Sequence, residues 1–407
     1  MNIIDGGVTA AKGFMAAGCA AGIKHENKKD MAMVYSKVPC VTAGTFTTNL
    51  VKAAPVKWDQ HIVYEEADAQ AIVCNSGIAN ACTGKEGYSY CEKTAQAAAK
   101  ALQISEKAVL VASTGVIGRQ LPMDKMEAGV NVLAGLLSDT REAANLAAQC
   151  IMTTDTVSKE VAVTVELGGK TVTIGGMCKG SGMIHPNMCT MLCFITTDAA
   201  IAKPMLQKAL STVVPDTFNM VSVDGDTSTN DTVLLLANGM AENNEIAEEN
   251  EDYRTFLDAL LYVTTFFAKK MAADGEGASA LFEAKVIGAE SKEQAVILSK
   301  SIITSNLSKA AIFGHDANCG RFVCAMGYSG AQFDPDKVDL YFQSAAGKVQ
   351  VIADGVALEC DEEFATKVLS EKEVTVLADL KMGDCEATAW GCDLTYEYVT
   401  INADYRS

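Results

Sequence analysis

A threonine stands where a glycine-rich loop meets a strand-like run near the middle of the sequence. Residues 175–189 include four glycines, one lysine and Pro186, and the run Met191–Phe194 that follows Thr190 is apolar. A threonine hydroxyl is a useful nucleophile only when a base removes its proton, and the residue's own α-amino group can be that base once the preceding peptide bond is cut. That amine has an ordinary pKa of about 7.7–8.0. The pattern therefore admits self-cleavage before Thr190, although a threonine that begins a strand is usually only a β-former.

Other patterns that could carry chemistry lack essential residues. The run 77–85 has six residues between its glycines where a phosphate loop has four, and it lacks the Ser or Thr that should follow the lysine. The run Asp224–Asp231 alternates oxygen side chains, but Thr229 stands where a calcium loop requires glycine and Leu235 where it requires glutamate. We interpret it as an Asx-rich turn near a site. No GxSxG, HExxH or nucleophile–histidine pattern is present, so we expect no metal and no conventional triad.

Composition limits the kinds of partner. The chain has 407 residues, enough for a large core, and a formal net charge of −18 with pI near 4.7. Its lysines and arginines form no cluster, which argues against nucleic acid. The N-terminus has no basic region before an apolar stretch, and no run is long enough to span a membrane, so we expect a cytoplasmic protein. The fourteen cysteines form no CxxC pair and are predicted to be mostly buried free thiols.

Two kinds of element must position the threonine. Alternation on both sides of the Gly168-Gly169 pair predicts a hairpin over residues 161–174. Continuous apolar runs predict strands covered on both faces at 71–74, 108–113 and 232–237. Helical patterns cover 88–102, 123–136, 204–214, 252–271 and 291–301. Because strands and helices do not alternate strictly, the pattern favours an α+β or layered α/β/β/α architecture over a doubly wound sheet.

Several blocks resemble one family along the whole chain. KGSGMIHPNMCTMLCFITTDA (179–199) is close to a KGSGMI-PNMATML signature, and AGTFTTNLVKAAPV (43–56), CNSGIANACTG (74–84), STGVIGRQLP (113–122) and DGEGAS (274–279) stand around it in order. The sequence resembles the glutamate N-acetyltransferase/ornithine acetyltransferase family of arginine biosynthesis, the ArgJ proteins. The resemblance implies a fold like that of N-terminal-nucleophile hydrolases. It also implies a main catalytic domain at 1–283 and a smaller α/β domain at 284–407 whose tail returns to the site.

The resemblance implies a reaction as well. The precursor would cut itself between Cys189 and Thr190 into an α chain (1–189) and a β chain (190–407) that stay together, in the family's case as an α2β2 heterotetramer. Thr190 would take the acetyl group from N-acetylornithine and pass it to glutamate, with Thr114 and Gly115 stabilising the oxyanion. No cofactor is implied; acetyl-CoA as a second acetyl donor is left open.

The family's substrate contacts match positions in both proposed chains. Lys179 suits a carboxylate, and Glu276 suits the α-ammonium of ornithine or glutamate. Among three nearby threonines we favour Thr153 over Thr154 and Thr156, because of its distance from Lys179 in the sequence. The C-terminal contacts are Asn402 and Ser407, and the segment 395–405 alternates like a strand.

The chain departs from the family's pattern at a few positions. Cys189 replaces an alanine, Ile78 an asparagine and Cys319 a tryptophan, while Ser279-Ala280 stands where Thr-Lys is common. Cysteine is small enough to keep the cleavage loop tight, so we expect processing to survive. Two other hypotheses stay open: an aminopeptidase or amidase that uses water as acceptor, and a catalytically silent binding or scaffold protein.

Overall fold

The computed structural model describes residues 1–185 and 191–404. The predictions for Cys189, Thr190 and Ser407 fall outside these residues. Contacts divide the described chain into two compact units. Unit 1 comprises the described residues of Met1–Gly180, Pro186–Phe218 and Thr227–Phe267, and unit 2 those of Ser181–His185, Asn219–Asp226 and Ala268–Ser407. The domain boundary at 283/284 stays a prediction.

The strands of unit 1 form one large sheet. They are β1 (Asn2–Ile4), β2 (Phe14–Cys19), β3 (Met31–Phe46), β4 (Ala69–Asn75), β5 (Val109–Ser113), β6 (Lys159–Leu167), β7 (Lys170–Lys179), β8 (Leu192–Thr197) and β10 (Thr232–Ala237). The order is β1-β6-β7-β8-β10-β3-β4-β5, with β2 beside β3. β3 connects two parts of the sheet, because residues 31–35 pair with β2 and β4 while 41–46 pair with β10.

The helices of the chain begin and end as follows: α1 (Ala54–Glu65), α2 (Gly84–Leu102), α3 (Met123–Leu136), α4 (Arg141–Cys150), α5 (Lys203–Val213), α6 (Glu251–Ala273), α7 (Lys292–Thr304), α8 (Asn306–Phe313), α9 (Cys319–Gly327), α10 (Glu362–Leu369) and α11 (Tyr396–Ala403). In unit 1, α4 packs on β2 and β3, α5 packs on β3, and α1 packs on β5. These contacts bury the apolar faces of the sheet that the continuous runs predict.

Unit 2 has its own sheet. Its strands are β9 (Val221–Ser222), β11 (Leu281–Ala289), β12 (Asp339–Ser344), β13 (Gly347–Ala353), β14 (Val356–Ala357), β15 (Glu373–Asp379) and β16 (Cys385–Cys392). Their order is β14-β13-β12-β15-β11-β16-β9. Helix α7 packs on β11 and β16, and the rings of Phe282, Phe322 and Phe342 meet edge to face in the core.

Most elements predicted from the sequence are confirmed. Gly168 and Gly169, with φ of 55° and 79°, form the two-residue turn between β6 and β7. The covered strands are β4, β5 and β10, whose residues are almost all buried. The five predicted helices correspond to α2, α3, α5, α6 and α7. The chain therefore has the predicted α+β class. Among the described residues, no helix is long and apolar enough to cross a membrane.

The predicted C-terminal strand is wrong. The segment 395–405 contains helix α11, in which the Thr400 hydroxyl donates to the Tyr396 carbonyl at 3.2 Å and the Asn402 amide donates to the Tyr398 carbonyl at 3.0 Å. No residue of this helix is buried, so it lacks the apolar stripe that normally marks a helix in a sequence. The alternation over residues 395–405 suggested a strand, but such a short local pattern is a weak guide to secondary structure.

A carboxylic acid is buried beneath the edge strand β5. Asp59 of α1 accepts the Val111 N–H at 2.8 Å through Oδ1, while its Oδ2 has no partner among the described residues. Burial raises the pKa of Asp59 well above its usual range, opposed in part by the Val111 N–H. The native protein therefore holds a proton here that the unfolded chain releases above about pH 4.

We predict that Asp59→Asn is more stable than the parent at pH 8. A raised native pKa gives a stabilisation that is complete below the unfolded pKa and is lost as pH rises. The asparagine can still accept the Val111 N–H, and because it does not titrate, the variant does not lose stability as the pH rises. Urea unfolding at pH 5 and pH 8 should show the gap growing by up to about 1.4 kcal/mol per pH unit. The exposed Asp68→Asn is the control, and a gap independent of pH would contradict the prediction.

Candidate active site

The turn after β5 is held against a neighbouring loop. The Thr114 N–H donates to the Asn75 carbonyl at 3.0 Å, and the Val116 N–H donates to the Gly77 carbonyl at 3.1 Å. Gly115 lies between them with φ of 126°, and a Cβ there would be 2.3 Å from the Gly77 carbonyl carbon. Only glycine fits this approach. Ile78, where the family has asparagine, bridges Thr114 and Val116 through its backbone.

Three buried polar side chains fix this turn from beneath. The Ser113 hydroxyl donates to Asn75 Oδ1 at 2.6 Å, and Asn75 Nδ2 donates to the Ile78 carbonyl at 2.9 Å. Asn230 Nδ2 donates to the carbonyls of Ser113 at 2.7 Å and Ala79 at 2.6 Å. Because a buried carbonyl without a donor is costly, these bonds set the position of both loops.

The turn leaves two hydrogen-bond donors available. The Thr114 backbone N–H is already used by Asn75. Within residues 1–185 and 191–404, neither the Gly115 N–H nor the Thr114 hydroxyl has a hydrogen-bond partner. Both groups lie on a half-buried surface. Donors fixed in this way can stabilise negative charge that develops on a carbonyl oxygen, because they need no reorganisation during the reaction.

A buried ionic cluster lies at the end of β7. Asp155 Oδ1 is 2.7 Å from Lys159 Nζ, and both side chains are fully buried. The same carboxylate accepts the N–H groups of Gly180 at 2.7 Å and Thr153 at 3.1 Å. Lys179 Nζ is farther away, 4.0 Å from Asp155 Oδ2. Burial alone raises the pKa of Asp155, but Lys179, Lys159 and the Gly180 N–H lower it to about 2.

The charges of this cluster do not cancel. Two lysines face Asp155, and its shortest ionic contact is with Lys159. A second carboxyl, Asp231, is fully buried, and its Oδ2 has no partner among the described residues. Burial raises the pKa of Asp231 well above its usual range, although Ser228, Lys179 and Met191 oppose this. The raised pKa of Asp231 weakens the competition of that carboxyl for the charge of Lys179.

The strand register brings the two parts of the site to one end of the sheet. Leu192 pairs with Lys179 on one side and with Thr232 on the other. The Thr232 N–H also donates to the Met191 carbonyl at 2.8 Å. Asn230, which holds the turn at Thr114–Gly115, lies two residues before Thr232. The lysine, the oxyanion turn and the start of β8 are therefore linked by contacts inside unit 1.

Unit 2 carries the other predicted contacts. Asn402 Nδ2 donates to Glu276 Oε2 at 2.7 Å, so the structure brings these two predicted residues together. The Glu276 N–H donates to the Ser181 carbonyl at 2.9 Å, and a Cβ at Gly182 would be 2.2 Å from the Glu276 carboxyl carbon. Glu276 is buried, and one of its oxygens accepts the Asn402 amide.

Sequence reasoning located some of these residues and missed others. Thr114, Gly115 and Lys179 lie in the linked part of unit 1, and Thr153 touches its cluster through its backbone. Cys189, Thr190 and Ser407 lie outside the described residues. The sequence placed Asn230 and Asp231 in an Asx-rich turn near a site, but it gave no role to them or to the other buried polar residues that hold the site: Asn75, Ser113, Asp155 and Lys159. The sequence pattern that could have identified them is a polar residue at the end of an apolar strand.

The described residues contain neither a cluster of metal ligands nor a disulfide. No group of three or more His, Cys, Asp or Glu side chains there could hold a metal ion. The thirteen cysteines that the structure describes are free, as predicted; seven are buried, and Cys82 and Cys324 are exposed.

Comparison with known proteins identifies the family. An α+β protein with an oxyanion-type turn and a buried lysine is the general class that the geometry defines. The model of the ArgJ family matches residues 15–407. An arginine biosynthesis bifunctional protein ArgJ 1 from Clostridium acetobutylicum is 53% identical over 401 residues, with 98% of this chain and 97% of the relative covered. An arginine biosynthesis bifunctional protein ArgJ from Symbiobacterium thermophilum is 53% identical, with both chains fully covered. The chain belongs to the ArgJ family.

A solved relative agrees with this assignment. The crystal structure of an arginine biosynthesis bifunctional protein from Bacillus halodurans is 43% identical and aligns with a TM-score of 0.51. It covers 53% of this chain and 99% of the solved chain. The likeness in structure thus extends over about half of the sequence, while the likeness in sequence to curated relatives extends over all of it.

We predict that Gly115→Ala is much more destabilising than Gly118→Ala. Both glycines have positive φ, 126° and 83°, but only a Cβ at 115 meets neighbouring backbone, while nothing lies within 4 Å at 118. Backbone strain applies to both, and steric overlap adds roughly 1–3 kcal/mol at 115. Urea unfolding of the two variants measures the difference. Equal losses would show that the close approach of the two loops is not a constraint.

Proposed function

We propose that this protein is a self-cleaving acetyltransferase of arginine biosynthesis. It moves the acetyl group of N2-acetyl-L-ornithine to L-glutamate through an acetyl-Thr190 intermediate. Family membership and the printed names of the relatives, arginine biosynthesis bifunctional proteins, support the pathway. The observation that carries the chemistry is the linked pair of oxyanion turn and lysine at the start of β8, two residues after Thr190 in the chain.

The proposed cleavage supplies the base that acetyl transfer needs afterwards. The Thr190 hydroxyl attacks the Cys189 carbonyl carbon, the peptide C–N bond breaks as the C–O bond forms, and water hydrolyses the resulting ester. The products are a carboxylate on Cys189 and a free α-amine on Thr190. That amine can then take the proton of the Thr190 hydroxyl in each turnover.

Acetyl transfer follows in two steps. Thr190 Oγ1 attacks the acetyl carbonyl of N-acetylornithine, and ornithine leaves with a proton on its α-amine. The α-amine of glutamate then attacks the acetyl ester and releases the threonine. Each tetrahedral intermediate carries an oxyanion, which in this proposal the Gly115 N–H and the Thr114 hydroxyl stabilise.

We assign substrate binding to charged and polar residues that match the family's contacts. The charge of Lys179 suits the α-carboxylate that both substrates carry, because Asp155 already binds Lys159 at 2.7 Å. Glu276, hydrogen-bonded to Asn402, suits an ammonium group. Thr153 and Ser407 complete the proposed contacts, with Thr154 and Thr156 as alternatives to Thr153. No metal or cofactor has a step in this scheme.

The sheet explains how two chains could stay together after cleavage. The proposed β chain supplies β8 and β10, and the proposed α chain supplies β7 and β3, which pair with them on either side. Backbone hydrogen bonds thus cross between the chains within one sheet. The solved relative that covers 53% of this sequence has the extent expected of a chain like 190–407. We propose a cytoplasmic α2β2 assembly of these chains.

We predict that Thr190→Ala abolishes both cleavage and acetyl transfer. The parent should run as two bands on a denaturing gel, and N-terminal sequencing of one of them should read TMLCF. Cys189→Ala is the matched control on the other side of the bond and should cleave, since alanine is also small. A single full-length parent band, or a Thr190→Ala variant as active as the parent, would contradict the proposal.

We predict that Lys179→Met raises KM for N-acetylornithine at least tenfold. It removes the cation proposed to bind the α-carboxylate, an interaction of about 1.5–3 kcal/mol for a charged hydrogen bond. Steady-state kinetics measure the effect, and Lys170→Met, an exposed lysine at the other end of β7, is the control. An unchanged KM would remove Lys179 from the binding site.

The same assay tests whether glutamate or water accepts the acetyl group and whether acetyl-CoA is a second acetyl donor. Ornithine release that does not depend on glutamate would favour the aminopeptidase or amidase hypothesis. N-acetylglutamate formed from acetyl-CoA and glutamate alone would add the second activity of a bifunctional enzyme.

A further inference from the structure

Residues 181–185, which we call the tail segment, are bound by their backbone within unit 2. The Glu276 N–H donates to the Ser181 carbonyl at 2.9 Å, and the Val223 N–H donates to the Ile184 carbonyl at 2.7 Å. The Ile184 side chain is buried. His185 Nδ1 lies 3.0 Å from the Ser222 hydroxyl. Each of these contacts joins the tail segment to residues beyond position 190.

One carboxylate holds the centre of the tail segment. Asp224 Oδ2 accepts the Met183 N–H at 2.6 Å, and Asp224 Oδ1 accepts the Ile184 N–H at 2.9 Å. Met183 has φ of 54°, a left-handed conformation that is uncommon for methionine. Two successive N–H groups point to one side chain because of this conformation. The Asp224 carboxylate therefore stabilises the left-handed conformation of Met183, and that conformation directs both N–H groups to the carboxylate.

Asp224 is itself fixed by its own loop. Its Oδ1 accepts the Asp226 N–H at 3.1 Å, which is the Asx turn that the sequence predicts in the run 224–231. Behind the loop, the buried Lys309 Nζ donates to the carbonyls of Val223 and Cys392, both at 2.7 Å. Asp224 is thus held by contacts that do not involve the tail segment.

We propose that Asp224 is a positioning residue for self-cleavage, which fixes Met183 and Ile184 so that the chain five residues further on is presented for the reaction. The inference rests on the proposed cleavage between Cys189 and Thr190. After that cut the tail segment belongs to the α chain and Asp224 to the β chain, so the same contact anchors the new end of the α chain. Asp224 itself does not touch the reacting atoms in this scheme.

The test compares Asp224→Asn with Asp226→Asn. Asparagine keeps the shape at 224 but replaces one acceptor oxygen with an NH2 group, which faces an N–H donor. Asp226 is the matched control, since it is exposed, carries the same charge and lies two residues away. Precursors are made by cell-free synthesis, and conversion to two chains is followed on denaturing gels. We expect Asp224→Asn to cleave at least tenfold more slowly than the parent, and Asp226→Asn within twofold of it.

Two further measurements separate positioning from loss of folding. Hydrogen exchange on the uncleaved Thr190→Ala background should show faster exchange at the Met183 and Ile184 amides in Asp224→Asn, with the β11 and β16 amides unchanged. The pH profile of cleavage should also change. Burial raises the pKa of Asp224, opposed by the N–H groups of Asp226, Met183 and Ile184. Because the ionised form accepts both bonds, the parent's rate falls as pH drops through this pKa, and Asp224→Asn lacks that fall.

The parent and Asp224→Asn share every other titratable group. The difference between their pH profiles of cleavage therefore reports the ionisation of residue 224. The groups around this loop are Asp226, His185, Glu276, Lys309, Cys392 and Tyr398. Burial, with the charge of Lys300, lowers the pKa of His185 to about 4, so its titration persists in Asp224→Asn. A parent that cleaves alongside an equally fast Asp224→Asn would overturn the inference and leave the proposed function standing. A parent that never cleaves would overturn both.

Discussion

The buried amide of Asn230 is the contact on which the arrangement of the site depends. Its Nδ2 donates to the carbonyl of Ser113, the last residue of β5, and to that of Ala79 in the loop after β4, and β10 begins two residues later beside Leu192. One side chain thus fixes the oxyanion-type turn relative to the strand that follows Thr190. Without it, two buried carbonyls would lose a donor, at a cost of about 1–3 kcal/mol each. The same contact that stabilises the sheet end therefore sets the geometry of the site.

The two buried carboxyl groups of the site, Asp155 and Asp231, have pKa values shifted in opposite directions. The pKa of Asp155 is lowered to about 2 because Lys179, Lys159 and the Gly180 N–H outweigh its burial, whereas burial outweighs the donors of Asp231 and raises its pKa. The result is two cations facing one firmly ionised acid. The proposed binding of a substrate carboxylate at Lys179 would add negative charge beside these lysines. The cluster is thus better suited to binding an anion than to stabilising the fold by itself.

The sequence predicted the elements whose patterns are local. The hairpin at Gly168-Gly169, the apolar strands and the long amphipathic helices were found because each follows a period of two or near 3.6. Helix α11 was misread because none of its residues is buried, so it shows no apolar stripe. Helices α1, α4, α8, α9 and α10 were not predicted. The run 224–231 was placed near a site, but Asn230, Asp231 and Asp155 were given no individual role, because a polar residue at a strand end is usual in any turn. Their importance comes from partners more than twenty residues away, such as Ser113 for Asn230 and Gly180 for Asp155.

A bond can be cut inside this fold without separating the pieces, and the strand order shows why. A chain divided between positions 189 and 190 would leave β8 between β7 of the first piece and β10 of the second, and β10 beside β3 of the first. The six register pairs between β7 and β8 and the six between β10 and β3 are made by backbone groups, which the cut does not alter. The tail segment adds contacts in unit 2 that also join the two pieces. The proposed cut would thus leave the hydrogen-bonded sheet intact, and that sheet would still hold the turn at Thr114–Gly115 and Lys179 in place.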